Sequence, residues 1–146
     1  MFLLDTNIIS AIAPNKQKRN EELALWLDQA SELLFLSVVS AAEIRSGISK
    51  AEREGASKKA TALRDWWRAI EHLYANRLLA FDLKAAEAAG RMLDRSRAYD
   101  VGFEDIAIAA TAEVNGLTVL TDNERHFTPL GVALVNPLKM LPPLPL

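Results

Sequence analysis

Apolar residues fall along this chain in two alternating rhythms. Short, nearly unbroken apolar runs recur at FLL (2–4), LLFLS (33–37), RLLAF (77–81), LTVLT (117–121) and around residues 132–135. Runs that short suit buried strands. Between them, apolar positions return every three or four residues, the helical spacing. EELALWLDQA puts Leu23, Trp26, Leu27 and Ala30 on one face, and residues 57–74 do the same with Leu63, Trp66, Trp67, Ile70 and Leu73. Asp82 stands where it can cap an alanine-rich helix over 83–98. EDIAIAATAEVNG predicts another helix, ended by Gly116. A short helix over 7–13 is stopped by Pro14, and SAAEIRSGIS opens with Ser40 and Glu43 at capping-box spacing. Strands alternating with helices predict an α/β fold around a mainly parallel sheet.

Composition narrows the class. The chain has 146 residues, half of them apolar and a quarter charged, as expected of one globular domain with its own core. Cysteine is absent, which excludes disulfides, thiolate catalysis and cysteine-ligated zinc or iron–sulfur centres. A formal charge of −2 argues against a general DNA coater, though not against an enzyme that handles nucleic acid at an acidic metal site. The longest apolar stretch, residues 33–42, is about half of a membrane span. The N-terminus lacks the basic region and long apolar core of a signal peptide. The expectation is a soluble cytoplasmic protein, with one domain over 1–137 and a proline-rich tail over 138–146.

The acids change the picture. In parallel α/β sheets the carboxyl ends of the strands share one edge, and ligands bind there. Asp5 closes the first strand, Glu43 lies one turn into the helix after the second, and Asp122 and Asn123 follow the fourth. Asp105 begins a strongly apolar helix that faces the same edge if the YDVGFE loop brings it there. Each has an ordinary structural role available: Asp5 as a cap, Glu43 in a capping box, Asp105 at the positive end of a helix dipole, Asp122 and Asn123 as turn formers. Four such coincidences on one edge are harder to accept than a site. Clustered carboxylates raise one another's pKa. Mg²⁺ or Mn²⁺ resolves the conflict, because hard ions take carboxylate and water oxygens. No HExxH, cysteine pair or close histidine pair offers zinc a site. His72 and His126 read as structural or surface residues, and Trp26, Trp66 and Trp67 as packing.

LLDTNIIS, SVVSAAEIRSGI, EDIAIAATAEVNGLTVLTDNERHF and GVALVNP resemble, in order, the motif blocks of PIN-domain ribonucleases, above all VapC-type toxins of the FitB-like branch. The blocks run from the first strand to Pro137. The resemblance implies a PIN-like three-layer sandwich, its mainly parallel sheet flanked by helices. It aligns the family's three acids with Asp5, Glu43 and Asp105, an orienting hydroxyl with Thr6, and the Asp-or-Asn of a T-x-[DN] block with Asn123. Asp122 stands one residue earlier, where the family varies, so the fourth position lies between a water-orienting Asn123 and Asp122. The implied activity is a Mg²⁺- or Mn²⁺-dependent endoribonuclease. Asp5 and Asp105 would be direct ligands, and Glu43 would bind through water or align the attacking one. In-line attack leaving a 5′-phosphate and a 3′-hydroxyl is likewise implied. So are a homodimer and a cognate antitoxin that blocks the site with an arginine-bearing segment.

Lys16, Lys18 and Arg19 in the first loop, and Arg45 close to Glu43, are candidates for drawing RNA phosphate to the rim. A solvated face is the simpler account of each of the first three, and Arg45 has a second candidate duty, pairing with Glu43 or another acid. Three other readings compete. An aspartyl-phosphate phosphatase wants a second Asp where Asn7 stands. A signalling receiver domain wants paired acids after the first strand and an Asp after the middle one, which FLLDTN and LLFLSVV do not supply. A catalytically silent PIN-like binding or dimerisation module would have no need of intact Asp5, Glu43 and Asp105.

Overall fold

Successive residues of a strand face opposite sides of the sheet, and here each side has its own core. The computed structural model describes residues 1–14 and 17–145. Strands β1 (Phe2–Leu4), β2 (Leu34–Ser37), β3 (Leu78–Leu79), β4 (Thr118–Leu120) and β5 (Leu134–Val135) form one sheet in the order β3-β2-β1-β4-β5. Every pairing in it is parallel. The register aligns Leu78, Leu36, Leu4, Leu120 and Val135 in one row, packed with Ile8, Leu23, Trp26, Ile48 and Trp67. The adjacent row, Phe35, Leu3, Val119 and Leu134, packs with Met92, Ile106, Ile108 and Phe127. With both faces covered, the strands have no polar alternation to show, which is why they read as continuous apolar runs.

Helices α1 (Thr6–Ser10), α2 (Glu21–Gln29), α3 (Val38–Arg53) and α4 (Ser57–Leu73) supply the first core. Helices α5 (Leu83–Arg95), α6 (Phe103–Val114) and the single turn α7 (Glu124–Phe127) supply the second. The result is the three-layer α/β sandwich expected. Alanines at 88, 89, 109 and 112 are fully buried between α5, α6 and the sheet, and their small side chains let the two helices approach closely. Asp82 caps α5 as anticipated, its Oδ1 accepting the Ala85 N–H at 3.0 Å. Gly116, at φ +65°, ends α6 in a conformation that an L side chain adopts only with strain.

Helix α5 ends at Arg95, short of the expected residue 98, and β3 is only Leu78–Leu79 of the expected 77–81. Two further differences bear on the acids. Helix α3 follows β2 with no loop, and Ser37, not Ser40, is its cap: the Ser37 hydroxyl accepts the Val39 N–H at 3.0 Å. Ser40 is therefore the third residue of the helix and Glu43 the sixth, so the capping box does not form and Glu43 is free for other partners. Helix α1 stops at Ser10, and the chain reaches Ala13 through tight turns instead, with Ile12 N–H bonded to Ile9 O and Ala13 N–H to Ser10 O.

The proline-rich tail lies on the same body. Trp26 Nε1 donates to Pro142 O at 2.8 Å, and Leu141 and Leu144 pack against the first core. No helix among the described residues is long and apolar enough to cross a membrane.

Leu4, fully buried in the central strand, gives a direct test of this packing. Leu4→Ala is expected to lower the unfolding free energy by about 2–5 kcal/mol. Leu25→Ala, at a residue 59% exposed, should shift it by no more than about 0.5 kcal/mol. Urea unfolding curves for the two variants check both values.

Candidate active site

Strand β1 ends where Asp5 begins α1, and that junction fixes the first acid. Asp5 has extended backbone and caps the helix, its Oδ1 accepting the Thr6 N–H at 2.8 Å. Its own N–H continues the ladder to Leu120 O at 2.9 Å. Its other oxygen accepts from the buried Thr121 hydroxyl at 2.8 Å. The cap is real, yet it does not exhaust the side chain, since each carboxylate oxygen has a second lone pair. Only 4% of Asp5 is exposed. Burial pushes its carboxyl up to about 6; the charges of Asp105 and Glu43 push the same way, against the hydrogen bonds from Thr121 and Thr6.

Thr6 secures the second acid. Its hydroxyl oxygen lies 2.7 Å from Glu43 Oε1 and 2.8 Å from Ser40 Oγ. One hydroxyl has one proton, and an ionised carboxylate has none to give. Thr6 therefore donates to Glu43 and accepts from the buried Ser40. Glu43 too is pushed above the usual carboxylate range, first by burial and then by the charges of Asp105 and Glu104, with the Thr6 bond opposing.

The third acid, Asp105, sits in the first turn of α6, and its Oδ2 is 2.9 Å from His126 Nδ1. The same nitrogen is 2.7 Å from the Asn123 side-chain amide. An Nδ1–H that donates to Asp105 is satisfied if the Asn123 amide presents its oxygen, an orientation assigned from the network. His126, expected to be structural or surface, thus stands beside an acid of the cluster. The signal for it was its place three residues after Asn123, which puts both on one side of a helical turn.

The remaining expected residues separate. The Asn123 N–H donates to Thr121 Oγ1 at 2.9 Å, and its side chain reaches Asp105 through His126. Asp122 is exposed and accepts from the Asn7 amide. Thr121, which supports both Asp5 and Asn123, and Glu104, whose charge acts on Glu43, were not singled out from the sequence.

Asp5, Glu43 and Asp105 therefore open on one mouth and feel one another's charge. Among the described residues, no three acidic or histidine side chains are yet drawn tightly enough to enclose a metal ion. The donor set, one buried carboxylate and two more open ones, with Asp5 and Glu43 both pushed up by burial and neighbouring negative charge, fits a hard divalent cation such as Mg²⁺ or Mn²⁺.

Residues 2–129 match the family model described as the PIN domain. The chain belongs to the PIN-domain family. Three curated relatives align over 94% of its length: the plasmid stability protein StbB of Pseudomonas syringae pv. tomato (38% identical, 98% of that protein covered), Toxin FitB of Neisseria gonorrhoeae (35%, 98% covered) and VapC ribonuclease Y4jK of Sinorhizobium fredii (30%, 97% covered). Among solved structures, the crystal structure of FitAcB from Neisseria gonorrhoeae superposes with a TM-score of 0.83 at 33% identity, covering 96% of this chain and all of that one.

The basic residues of this PIN domain are placed differently from the expectation. Arg45 is two residues from Glu43 on α3, so the two do not share a face. Its guanidinium lies 3.4 Å from Glu52, which Arg64 also holds at 3.0 Å. Lys18 and Arg19 are exposed, Arg19 lying 4.0 Å from Glu21, and no contact puts either at the acids. Lys16 lies outside the described residues. Lys50 and Lys59 instead line a cavity of about 240 Å³ with Thr6, Glu43 and Trp66. Trp26 and Trp67 are buried as expected, but Trp66 is only half-buried and faces this cavity.

The metal-free PIN domain should show the cost of Asp5 directly. Its folded pKa of about 6 exceeds the ordinary 3.8, so the folded state holds the proton more tightly. Stability is then fully kept below about pH 4 and lost as pH rises through 6. Asp5→Asn keeps the Thr6 N–H bond through its oxygen and replaces the Thr121 bond with one of reversed direction, its amide donating to Thr121 Oγ1. It is expected to stabilise the metal-free protein by about 1–3 kcal/mol at pH 7.5 and by much less at pH 4.5. Urea unfolding with chelator at the two pH values measures this, and an equal change at both would mean that ionisation carries no penalty.

Proposed function

We propose that this chain is a metal-dependent endoribonuclease, the toxin of a toxin–antitoxin pair, hydrolysing RNA phosphodiester bonds at the Asp5–Glu43–Asp105 mouth. The observation that carries the proposal is the buried Asp5 carboxyl at a strand end, raised to about 6 with Asp105 and Glu43 acting on it. The relatives named as a toxin and as a ribonuclease, each at least 30% identical over nearly the whole chain, support it.

Each side chain has a task that its contacts define. Asp5 and Asp105 would hold Mg²⁺ or Mn²⁺, which when bound supplies a polarised phosphoryl oxygen and a water of lowered pKa. Thr121 and the Thr6 N–H fix the Asp5 carboxylate, and Asn123 and His126 fix that of Asp105. Glu43, oriented by Thr6, aligns a water and accepts its proton. Its raised pKa makes it a better base than an ordinary glutamate. In-line attack then leaves a 5′-phosphate and a 3′-hydroxyl.

The same chemistry selects the partners. An acidic mouth suits an antitoxin segment bearing arginine, whose guanidinium pairs with carboxylates in bidentate fashion. Leu83, Leu93 and Phe103 are 74%, 47% and 53% exposed, more apolar surface than the chain covers by itself, and a second copy forming a homodimer would cover it.

Cleavage of a labelled single-stranded RNA with Mg²⁺ or Mn²⁺, and with chelator, tests the activity. Wild type should cut only with metal, and Asp5→Asn and Asp105→Asn should each lose about 100-fold or more. His126→Ala should lose about 10- to 100-fold, as expected for a residue that holds a ligand rather than replacing it. A folded protein that neither cuts RNA nor takes up Mn²⁺ in a calorimetric titration would be a silent module instead.

A further inference from the structure

Beyond His126 the acid mouth runs into a second recess. Tyr99, Asp100, Val101, Arg125 and His126 line an open trough of about 340 Å³. His126 belongs to both places, since its Nδ1 is 2.9 Å from Asp105 Oδ2. The trough therefore begins where the acids end.

Its walls carry an exposed aromatic ring and a guanidinium, the two kinds of group that hold an unpaired nucleotide in single-strand binding sites. Tyr99 is 60% exposed, an aromatic ring left in water on a turn whose backbone is fixed by the Tyr99 N–H bond to Ser96 O at 2.8 Å. Arg125 is exposed, and among the described residues no ion pair engages its guanidinium, whereas Arg45, Arg64 and Arg77 each lie beside a carboxylate. Clustered acids repel the phosphates that flank a scissile bond, so a substrate needs a cation next to the mouth, and Arg125 lines the trough together with His126. Asp100 lines the same wall, a carboxylate that repels phosphate and has lone pairs for the N–H groups of a base.

We propose that this trough is the subsite for one unpaired nucleotide beside the bond that is cut, Arg125 taking its phosphate and Tyr99 stacking on its base. The inference rests on the nuclease reading above and adds the place where the nucleotide beside the scissile bond is held. Tyr99 can stack only on a base whose face is free, as in a single strand.

The test measures binding apart from cleavage. The full chain carrying Asp5→Asn is titrated, in Mg²⁺ buffer, into a fluorescein-labelled ten-nucleotide single-stranded RNA and followed by anisotropy. Adding Tyr99→Ala should weaken binding about 5- to 100-fold, while Tyr99→Phe, which keeps the ring, should stay within about twofold. Adding Arg125→Ala should weaken binding and reduce the slope of log affinity against log salt by about 0.7, the loss of one phosphate contact on a single strand. Thermal melts should show both alanine variants as stable as their parent, since both positions are exposed. If the parent binds and Tyr99→Ala binds equally well, the trough is not the subsite, and the nuclease reading stands. If the parent binds no RNA at all, both fall together.

Discussion

A carboxylate carried by the end of a buried parallel strand is the constraint around which this molecule is arranged. Desolvating a charge is costly unless polar groups and countercharge replace the lost water. The strand order β3-β2-β1-β4-β5 reverses direction at β1, so the chain passes to one side after β1 and returns to the other for β4. Crevices open at such reversals, outside the carboxyl ends of the strands. Asp5 stands in that crevice. Its neighbours come from the segments just beyond the two flanking strands: Thr121 after β4, and through Thr6 the helix after β2.

Hydroxyl and amide groups make the crowding of acids tolerable without neutralising it. Ser40 gives to Thr6 and Thr6 to Glu43; Thr121 gives to Asp5 and receives from the Asn123 backbone; Asp105 and the Asn123 side chain meet at His126 Nδ1. These bonds tie together segments more than a hundred residues apart in sequence and orient the individual carboxylates. They do not supply positive charge. Burial and like charge still raise Asp5 and Glu43, a local cost that the packed cores on both faces of the sheet outweigh. Neutralising Asp5 or Glu43 would remove that cost and make the metal-free fold more stable.

Most of the fold was legible in the sequence because it rests on short-range rules. Strands buried on both faces must be apolar throughout, and helices covering them must show an apolar stripe. Asp5 and Glu43 could be foreseen from where parallel strands end, and Asp105 only on the condition that the YDVGFE loop carries its helix to the same edge. The features that escaped depended on exact junctions and on tertiary approach. Ser37 and Ser40 are both good caps, and only the absence of a loop after β2 decides between them. His126 meets Asp105 across 21 residues of sequence, a contact that no local pattern carries. Arg45 was recoverable: two helical residues are separated by about 200° around the axis, so proximity to Glu43 in sequence meant opposition in space. Thr121 was legible as the end of an apolar strand but not as the hydroxyl that holds Asp5.

Proton release on metal binding tests most directly whether Asp5 and a cation occupy one site. Mn²⁺ is titrated into the protein by calorimetry at pH 6 and pH 8, each in two buffers of different ionisation enthalpy. With Asp5 near 6, at least about half a proton should leave per ion bound at pH 6, falling towards none at pH 8. That release should shrink in Asp5→Asn. Binding at pH 6 that releases no proton, or releases the same amount without the Asp5 carboxyl, would contradict the account.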